Sequence, residues 1–178
     1  SYNPYFKDQF KEGDTIKLPD LAKTLKLIRD YKREGFYSGE VAENLLAEMK
    51  KNNGLITKSD LESYKSIWRE PIIGNYKNYK VISMGPPSSG GVLLMQMLKM
   101  AEQFPLKKYK FHSKESIHIM TEIERRSFAD RAEYLGDPDF YEVPILDLLD
   151  SNYLQTRSNN INLKIATPSD DIYAGSWN

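Results

Sequence analysis

The most suggestive local feature for chemistry is a loop rich in glycine and serine. It reads Gly85-Pro86-Pro87-Ser88-Ser89-Gly90-Gly91 and leads from a predicted strand into a predicted helix. Backbone N–H groups at a helix start attract anions, and glycines let a ligand approach the backbone. The N–H groups from Ser89 to Val92 could therefore hold an anion or a substrate. A tight strand-to-helix connection with a serine cap explains the same residues, and neither common phosphate-binding fingerprint is present.

Ser89 also lies in a near match to the nucleophile motif of serine hydrolases. Pro87 stands two residues before it, where G-x-S-x-G requires glycine, and Gly91 follows at the required spacing. His112 and His118 lie downstream, in the chain order that such a catalytic triad needs. Acidic residues between them are too common to identify the third member. A serine hydrolase is therefore an alternative that the sequence leaves open.

A third candidate is a metal site on one predicted helix face. His118 and Glu122 are four residues apart, and Glu115 lies one turn earlier, so that the three side chains could reach one cation. A third or fourth strong ligand is not evident, and an acidic helix face with a histidine is usually solvated. We therefore predict no metal site.

Charged residues concentrate around the end of the same helix. They are Asp130, Arg131, Glu133, Asp137 and Asp139. Acidic side chains at a helix C-terminus oppose the helix dipole, so we expect Arg125, Arg126 or Arg131 to pair with them. A structural ion-pair and turn motif is favoured over catalysis by paired carboxylates.

The elements that position these groups are mainly helical. Apolar spacing predicts about six helices, the first ending at Gly35 and the second capped by Ser38. Thr57 and Asp60 have the spacing of a capping box. Ser113 is predicted to cap the longest helix, and residues 145–153 form a final one. The residues of the longest helix expected to face inward are Ile117, Met120, Ile123 and Phe128.

A change of period from 3.6 to about two predicts one β-hairpin. Its strands are Ile72-Ile73 and residues 79–82, and its turn is residues 74–78. Two strands alone leave a face and both edges unsatisfied. The hairpin must therefore pack on helices, or its sheet is completed by residues outside this chain. The predicted fold class is α+β, mostly helical with one β-hairpin.

Composition narrows the classes of function. The chain has 178 residues, 25 basic and 25 acidic, and therefore no net charge to attract a nucleic acid or an anionic membrane. It has no cysteine, which excludes a disulfide scaffold and a thiolate metal site. No apolar run is long enough to span a membrane. The length predicts roughly one domain, with an ordered core over about 18–157. We expect the polar tail, 158–178, to be mobile or held from outside the chain.

Several motifs together, in order and spacing, closely resemble the gamma-glutamyltranspeptidases. The resemblance runs from about Leu18 through Pro168, and Gly85 replaces a proline common in the family. The motifs that carry it are Asn53-Gly54-Leu55-Ile56-Thr57 with Asp60-Leu61 and Tyr64, Pro71, Gly74-Asn75-Tyr76, Pro86-Pro87-Ser88-Ser89-Gly90-Gly91, Ala129-Asp130-Arg131, and Tyr134-Leu135-Gly136-Asp137-Pro138-Asp139.

The resemblance implies an N-terminal-nucleophile hydrolase with a four-layer αββα fold. Such a precursor cleaves itself into a large and a small subunit, and the new N-terminal threonine of the small subunit is the nucleophile. This chain resembles the C-terminal half of the large subunit and stops at Asn178, just short of that threonine. The arginine that binds the glutamyl carboxylate and the oxyanion-hole glycines would lie in the parts not present. We therefore expect no catalytic residue in this chain.

The resemblance also assigns roles and partners. Ser88, Ser89, Gly90 and Gly91 would be framework that borders the substrate pocket. The partners would be the small subunit, the rest of the large subunit, and glutathione or another gamma-glutamyl substrate, with no metal or cofactor. Relatives are periplasmic, secreted or face outside the cell. The alternatives are a related acylase or capsule depolymerase, or a non-catalytic helical interaction module of shared ancestry.

Overall fold

The computed structural model describes residues 11–177 and divides the chain into two compact units. The first unit ends at Ile67 and the second begins at Trp68. The chain length alone predicts one domain. The units separate because each forms its contacts among its own helices, on either side of a stretch that lacks regular structure.

Among its described residues, the first unit is built from helices. They are α1 (Pro19–Tyr31), α2 (Glu34–Tyr37), α3 (Gly39–Lys51) and α4 (Lys58–Ser63). The predicted first helix breaks at Lys32, whose φ is +57°, so that Gly35 lies in a separate short helix. One Nη atom of Arg33 donates to the carbonyl oxygens of residues 61, 62 and 64, at 3.2, 3.0 and 2.7 Å. This arginine therefore holds the end of α4 against the turn between α1 and α2.

The helix caps of this unit test two predictions. Thr57 and Asp60 form the predicted capping box: the Asp60 carboxylate accepts from Thr57 N at 2.7 Å, and Asp60 N donates to Thr57 Oγ1 at 3.3 Å. Ser38 precedes α3, but its hydroxyl donates to Glu34 Oε2 instead of accepting from the helix, so the predicted side-chain cap is wrong.

The second unit begins with the predicted hairpin. Strands β1 (Ile72–Tyr76) and β2 (Tyr79–Ser83) are antiparallel, with Ile72 opposite Ser83. The turn is shorter than predicted because residues 74–76 continue β1 and only Lys77 and Asn78 connect the strands. Lys77 has a φ of +51°, and its N–H donates to Glu102 Oε1 at 2.6 Å, which ties the turn to the end of the next helix.

Helix α5 (Gly90–Ala101) is the centre of the second unit. It contacts the hairpin on one side and the following helices on the other. Those helices are α6 (Lys114–Tyr134), α7 (Ile145–Leu148) and α8 (Ser151–Asn159). Short 3-10 helices lie at Leu106–Lys108 and Ser169–Asp171. The buried apolar core of this unit is Ile72, Val92, Met95, Met100, Ile119, Ile123, Leu148, Tyr153, Leu154 and Ile161.

The predicted helix over 145–153 is instead two helices. The Asp150 carboxylate accepts from the N–H groups of Asn152 and Tyr153, each at 2.9 Å. An aspartate that satisfies two free N–H groups starts a new helix, so α8 begins after Asp150 and continues to Asn159.

The buried face of α6 differs from the predicted one. Ser113 caps the helix as expected, accepting from Ser116 N at 3.3 Å, and Ile123 faces inward. Ile117, Met120 and Phe128 are each more than half exposed. Polar and charged side chains occupy the inward face alongside Ile119 and Ile123. The spacing of the apolar residues therefore predicted the wrong face of α6 as the buried one. The other buried residues of α6 are Glu122, Arg126, Ser127 and Asp130.

The C-terminal segment, residues 160–177, is held by side chains of this chain. Contact of the tail with protein outside the chain stays a prediction, and the described part of the tail has partners within the chain. The reason is that α6 offers hydrogen-bonding groups to the segment along its length.

No helix within residues 11–177 is long and apolar enough to cross a membrane.

Two leucines of α7 test the assignment of the core. Leu148 is fully buried and Leu146 is 88% exposed. Replacing Leu148 with alanine should lower the free energy of unfolding by about 2–5 kcal/mol, because it removes buried apolar surface and leaves a cavity. The matched Leu146→Ala should change it by less than about 0.5 kcal/mol. Urea denaturation measures both, and equal effects would contradict the core described here.

Candidate functional site

A small cavity joins the glycine- and serine-rich loop to the end of α6. Its volume is about 200 Å³. Its lining is Pro87, Ser89, Arg131, Ala132, Leu135 and Gly136. Arg131 Nε donates to Ser89 Oγ at 3.0 Å. The structure therefore brings together two motifs that are 42 residues apart in the sequence and that were each singled out on residue type alone.

The backbone of this loop is largely occupied by its own contacts. Gly90 N donates to Ser88 Oγ at 3.3 Å, and Gly91 N donates to Met84 O at 3.0 Å. A side chain at Gly91 would overlap the Met84 carbonyl and press on Ile72, so glycine is required for the close approach of α5 to β1. Two of the N–H groups expected to hold an anion thus serve the strand-to-helix connection.

The two histidines do not complete a serine triad. His118 Nε2 lies 2.7 Å from the carbonyl oxygen of Asn162. His112 has a φ of +56° and stacks on Phe111, with ring centroids 3.8 Å apart. Neither histidine lines the cavity at Ser89. Among residues 11–177, Ser89 Oγ is therefore paired with Arg131, and neither histidine is placed to act as its general base.

The three residues considered as a metal site, Glu115, His118 and Glu122, do not converge on one point. Glu122 turns to two arginines of its own helix, whereas His118 contacts Asn162. Within residues 11–177 no three His, Cys, Asp or Glu side chains are grouped so that they could hold a metal ion.

Asp130 is the most constrained of the predicted charged residues. It is 1% exposed, and its carboxylate accepts three hydrogen bonds. The donors are Gln96 Nε2 at 3.1 Å, Arg157 Nη2 at 2.8 Å and Gly175 N at 2.9 Å. Asp130 forms an ion pair with Arg157 and not with the arginines expected from proximity in sequence, because the Arg157 side chain reaches this face of α6 from α8.

Asp137 and Asp139 form the turn after α6. Asp137 Oδ1 accepts from Asp139 N at 3.0 Å, and Asp139 pairs with Arg69 at 2.7 Å. This pair links the turn to the segment before β1. Arg131 of the same motif points instead to Ser89. The motif is therefore a structural junction that joins three parts of the second unit.

Glu122, which the sequence suggested only as a possible metal ligand, forms a second buried carboxylate site. It is 1% exposed and pairs with Arg126 at 2.6 Å and Arg125 at 2.9 Å. Thr167 donates to it from both Oγ1, at 2.6 Å, and the backbone N–H, at 3.1 Å. Burial alone would raise the pKa of Glu122, but the hydrogen bonds from Thr167 and Arg126 outweigh burial and hold its pKa below the ordinary value.

The arginines of this network hold the chain on both sides of Thr167. Arg126 Nη2 donates to Asn160 O at 2.9 Å, and Arg125 donates to Thr167 O at 2.7 Å and to Ser169 Oγ at 3.2 Å. The sequence signal was the spacing of Glu122 with arginines three and four residues later, which matches ion pairs on one helix face. The partner Thr167 carries no such signal.

Comparison with known proteins gives one consistent family. The family model for gamma-glutamyltranspeptidase matches residues 1–178. The glutathione hydrolase proenzyme of Escherichia coli (strain K12) is 45% identical over 168 residues, which cover 94% of this chain and 29% of the relative. The chain thus spans less than a third of that relative.

Two solved structures resemble the fold of this chain. The Helicobacter pylori gamma-glutamyltranspeptidase has a TM-score of 0.81 and 42% identity, covering 96% of this chain and 50% of that chain. A Pseudomonas nitroreducens gamma-glutamyltranspeptidase complexed with L-DON also has a TM-score of 0.81, at 40% identity, covering 92% of this chain and 50% of that one.

The low pKa of Glu122 predicts a loss of stability in acid. The stability from this group is complete above about pH 4.3, the ordinary glutamate pKa, and is lost as the pH falls through the lower pKa of the folded state. Glu122→Gln should cost about 3–5 kcal/mol at pH 7, because it leaves buried Arg126 without its counter-charge. The cost should shrink in acid.

Urea denaturation of both proteins between pH 3 and pH 7 checks this. The exposed Glu142→Gln is the control and should stay within about 0.5 kcal/mol of wild type. A gap between wild type and Glu122→Gln that is constant across this pH range would contradict the assignment.

The serine-hydrolase alternative has its own test. A fluorophosphonate should label neither Ser88 nor Ser89, because Ser89 accepts from Arg131 and Ser88 accepts from Gly90 N, with no histidine base at either. Mass spectrometry of peptides from the treated, folded protein measures labelling. A modified Ser88 or Ser89 would restore that alternative.

Proposed function

The chain belongs to the gamma-glutamyltranspeptidase family, and we propose that it is the C-terminal portion of the large subunit of such an enzyme. The assembled enzyme hydrolyses or transfers the gamma-glutamyl group of glutathione and related compounds. The observation that carries the proposal is the family match over the whole chain, supported by two solved gamma-glutamyltranspeptidases at a TM-score of 0.81.

The reacting groups lie outside this chain in the proposal. The N-terminal threonine of the small subunit attacks the gamma-glutamyl carbonyl, with its own α-amine as the base, and forms a gamma-glutamyl ester. Water or the amine of an acceptor amino acid then resolves that ester. Backbone donors stabilise the oxyanion of each tetrahedral intermediate. Neither the cavity at Ser89 nor the charged networks of α6 supply a nucleophile with a base, which agrees with a supporting role.

Exposed apolar surfaces support assembly with further protein. Ile73 and Ile82 are directly opposite on the outer face of the hairpin and are 54% and 61% exposed. Ile117, Met120 and Phe128 lie on the outer side of α6. Apolar side chains grouped in this way are normally covered by a partner. We propose that the rest of the large subunit and the small subunit cover them, and that the hairpin becomes part of a larger sheet.

The compartment follows from the family alone. We propose that the enzyme is periplasmic or secreted, an expectation that rests on the resemblance to the family and on no feature of this structure. The alternatives of a related acylase or depolymerase differ in the substrate pocket, to which this chain contributes framework at Ser88, Ser89, Gly90 and Gly91.

The full-length precursor that contains this chain tests the proposed function. After purification it should contain two polypeptides by intact mass, and the smaller should begin with threonine. It should release the chromophore from a gamma-glutamyl anilide, because the N-terminal threonine, which carries both the nucleophilic hydroxyl and the basic α-amine, is then present. The isolated 178-residue chain, prepared in parallel, should release none.

Two results would contradict the proposal. If the isolated chain, free of contaminants, hydrolyses the anilide or glutathione, then the nucleophile lies in this chain and not in the small subunit. A precursor that folds but neither cleaves itself nor hydrolyses the anilide would favour the non-catalytic interaction module.

A further inference from the structure

The backbone at Gly175 is held on both of its polar groups by side chains of α6. Gly175 N donates to Asp130 Oδ1 at 2.9 Å, and Tyr134 Oη donates to Gly175 O at 2.6 Å. Asp130 and Tyr134 are four residues apart and therefore lie on the same side of α6. The two hydrogen bonds fix the position and the orientation of this peptide segment.

The rings around Gly175 leave no room for a side chain there. A Cβ at residue 175 would overlap the ring and the hydroxyl oxygen of Tyr153. Two residues later, the Trp177 ring packs against Tyr134 with centroids 4.6 Å apart, and against Tyr153 edge-on at 5.4 Å. The chain is thus held at residue 175 by hydrogen bonds and at residue 177 by ring packing. We call Asp130, Tyr134 and Tyr153 the clamp.

The clamp is itself rigidly supported. Asp130 is fixed by Arg157 and Gln96 as well as by Gly175. Burial raises the pKa of Tyr134, and burial together with the neighbouring Asp130 carboxylate raises the pKa of Tyr153. Tyr134 therefore keeps its hydroxyl proton and remains a donor to Gly175 at neutral pH.

The position of the clamp gives it a specific use. It holds the end of the C-terminal segment, and in the function proposed above this segment leads to the peptide bond that the precursor cleaves. A chain cleaves itself only when the reacting atoms are brought into near-attack geometry, and a displacement of about 1 Å can cost 100-fold in rate. An anchor at residues 175 and 177 limits the conformations open to the segment that leads to that bond.

We propose that Asp130, Tyr134 and Tyr153 are positioning residues for maturation of the precursor. They hold residues 175–177 so that the scissile peptide downstream of Trp177 is presented to the threonine that follows it. This inference rests on the proposed function. The clamp residues exchange no atoms with the reacting groups.

The step that the clamp serves is self-cleavage of the precursor. The threonine hydroxyl adds to the carbonyl carbon of the peptide before it, the C–N bond breaks, and the proton passes to the leaving α-amine. Water then splits the resulting ester, which gives a carboxylate on the large subunit and returns the hydroxyl to threonine. The clamp acts before this step, on the geometry of the backbone.

Two variants of the full-length precursor test the clamp. Gly175→Ala excludes the observed backbone position and should slow self-cleavage by about 100-fold. Tyr134→Phe removes one hydrogen bond and should slow it by about fivefold to tenfold. Tyr109→Phe is the matched control, because Tyr109 is also partly buried against the core and the structure gives its hydroxyl no part in the clamp. It should cleave at the wild-type rate.

The readout separates positioning from general damage to the fold. Purified precursors are followed by intact mass at a temperature well below their thermal midpoints. The fraction of each variant that does mature should hydrolyse a gamma-glutamyl anilide with the wild-type kcat. A variant with slower cleavage, a folded precursor and normal kcat after maturation supports a positioning role.

The outcomes that overturn the inference are distinct from those that overturn the proposed function. If wild type matures and both Gly175→Ala and Tyr134→Phe mature at the same rate, the clamp has no positioning role and the proposed function stands. If Gly175→Ala fails to fold, the rate of Tyr134→Phe against Tyr109→Phe decides. If the wild-type precursor folds but never cleaves, both the function and the inference fail.

Discussion

Two buried carboxylates on one face of α6 determine the path of the C-terminal segment. Glu122 and Asp130 are each 1% exposed, and a charge so deeply buried is costly unless it is paired and hydrogen-bonded. Each carboxylate pairs with arginine and also accepts a backbone N–H, from Thr167 and from Gly175 respectively. Detaching the segment would remove these donors from buried charges, so α6 and the segment form one structural unit.

The same constraint explains which side of α6 is apolar and exposed. Because polar networks take the inward face, Ile117, Met120 and Phe128 are left on the outside. The hairpin has a comparable face at Ile73 and Ile82. Because the chain spans only 29% of one relative and 50% of one solved chain, such faces are suited to contact with further protein. The chain thus contributes a scaffold and a segment whose path is fixed by buried ion pairs, and in the proposed function the nucleophile belongs to another part of the protein.

Local signals predicted the elements that depend on neighbours in sequence. The hairpin, the Thr57 capping box and the Ser113 cap follow from spacings of a few residues, and the structure confirms each. The inward face of α6 and the partners of the tail were not predicted because their determinants are distant: Glu122 meets Thr167, and Asp130 meets Gly175, each 45 residues away. Apolar periodicity does not register a buried face made of charges that are neutralised by partners from other elements.

Hydrogen exchange at two backbone amides tests the central claim most directly. In the folded full-length protein, the N–H groups of Thr167 and Gly175, which donate to the buried carboxylates, should exchange at least roughly 100-fold more slowly than in an unstructured peptide and in step with the amides of α5. Exchange of both amides at the rate of an unstructured peptide, while α5 stays protected, would show that the carboxylates do not hold the segment.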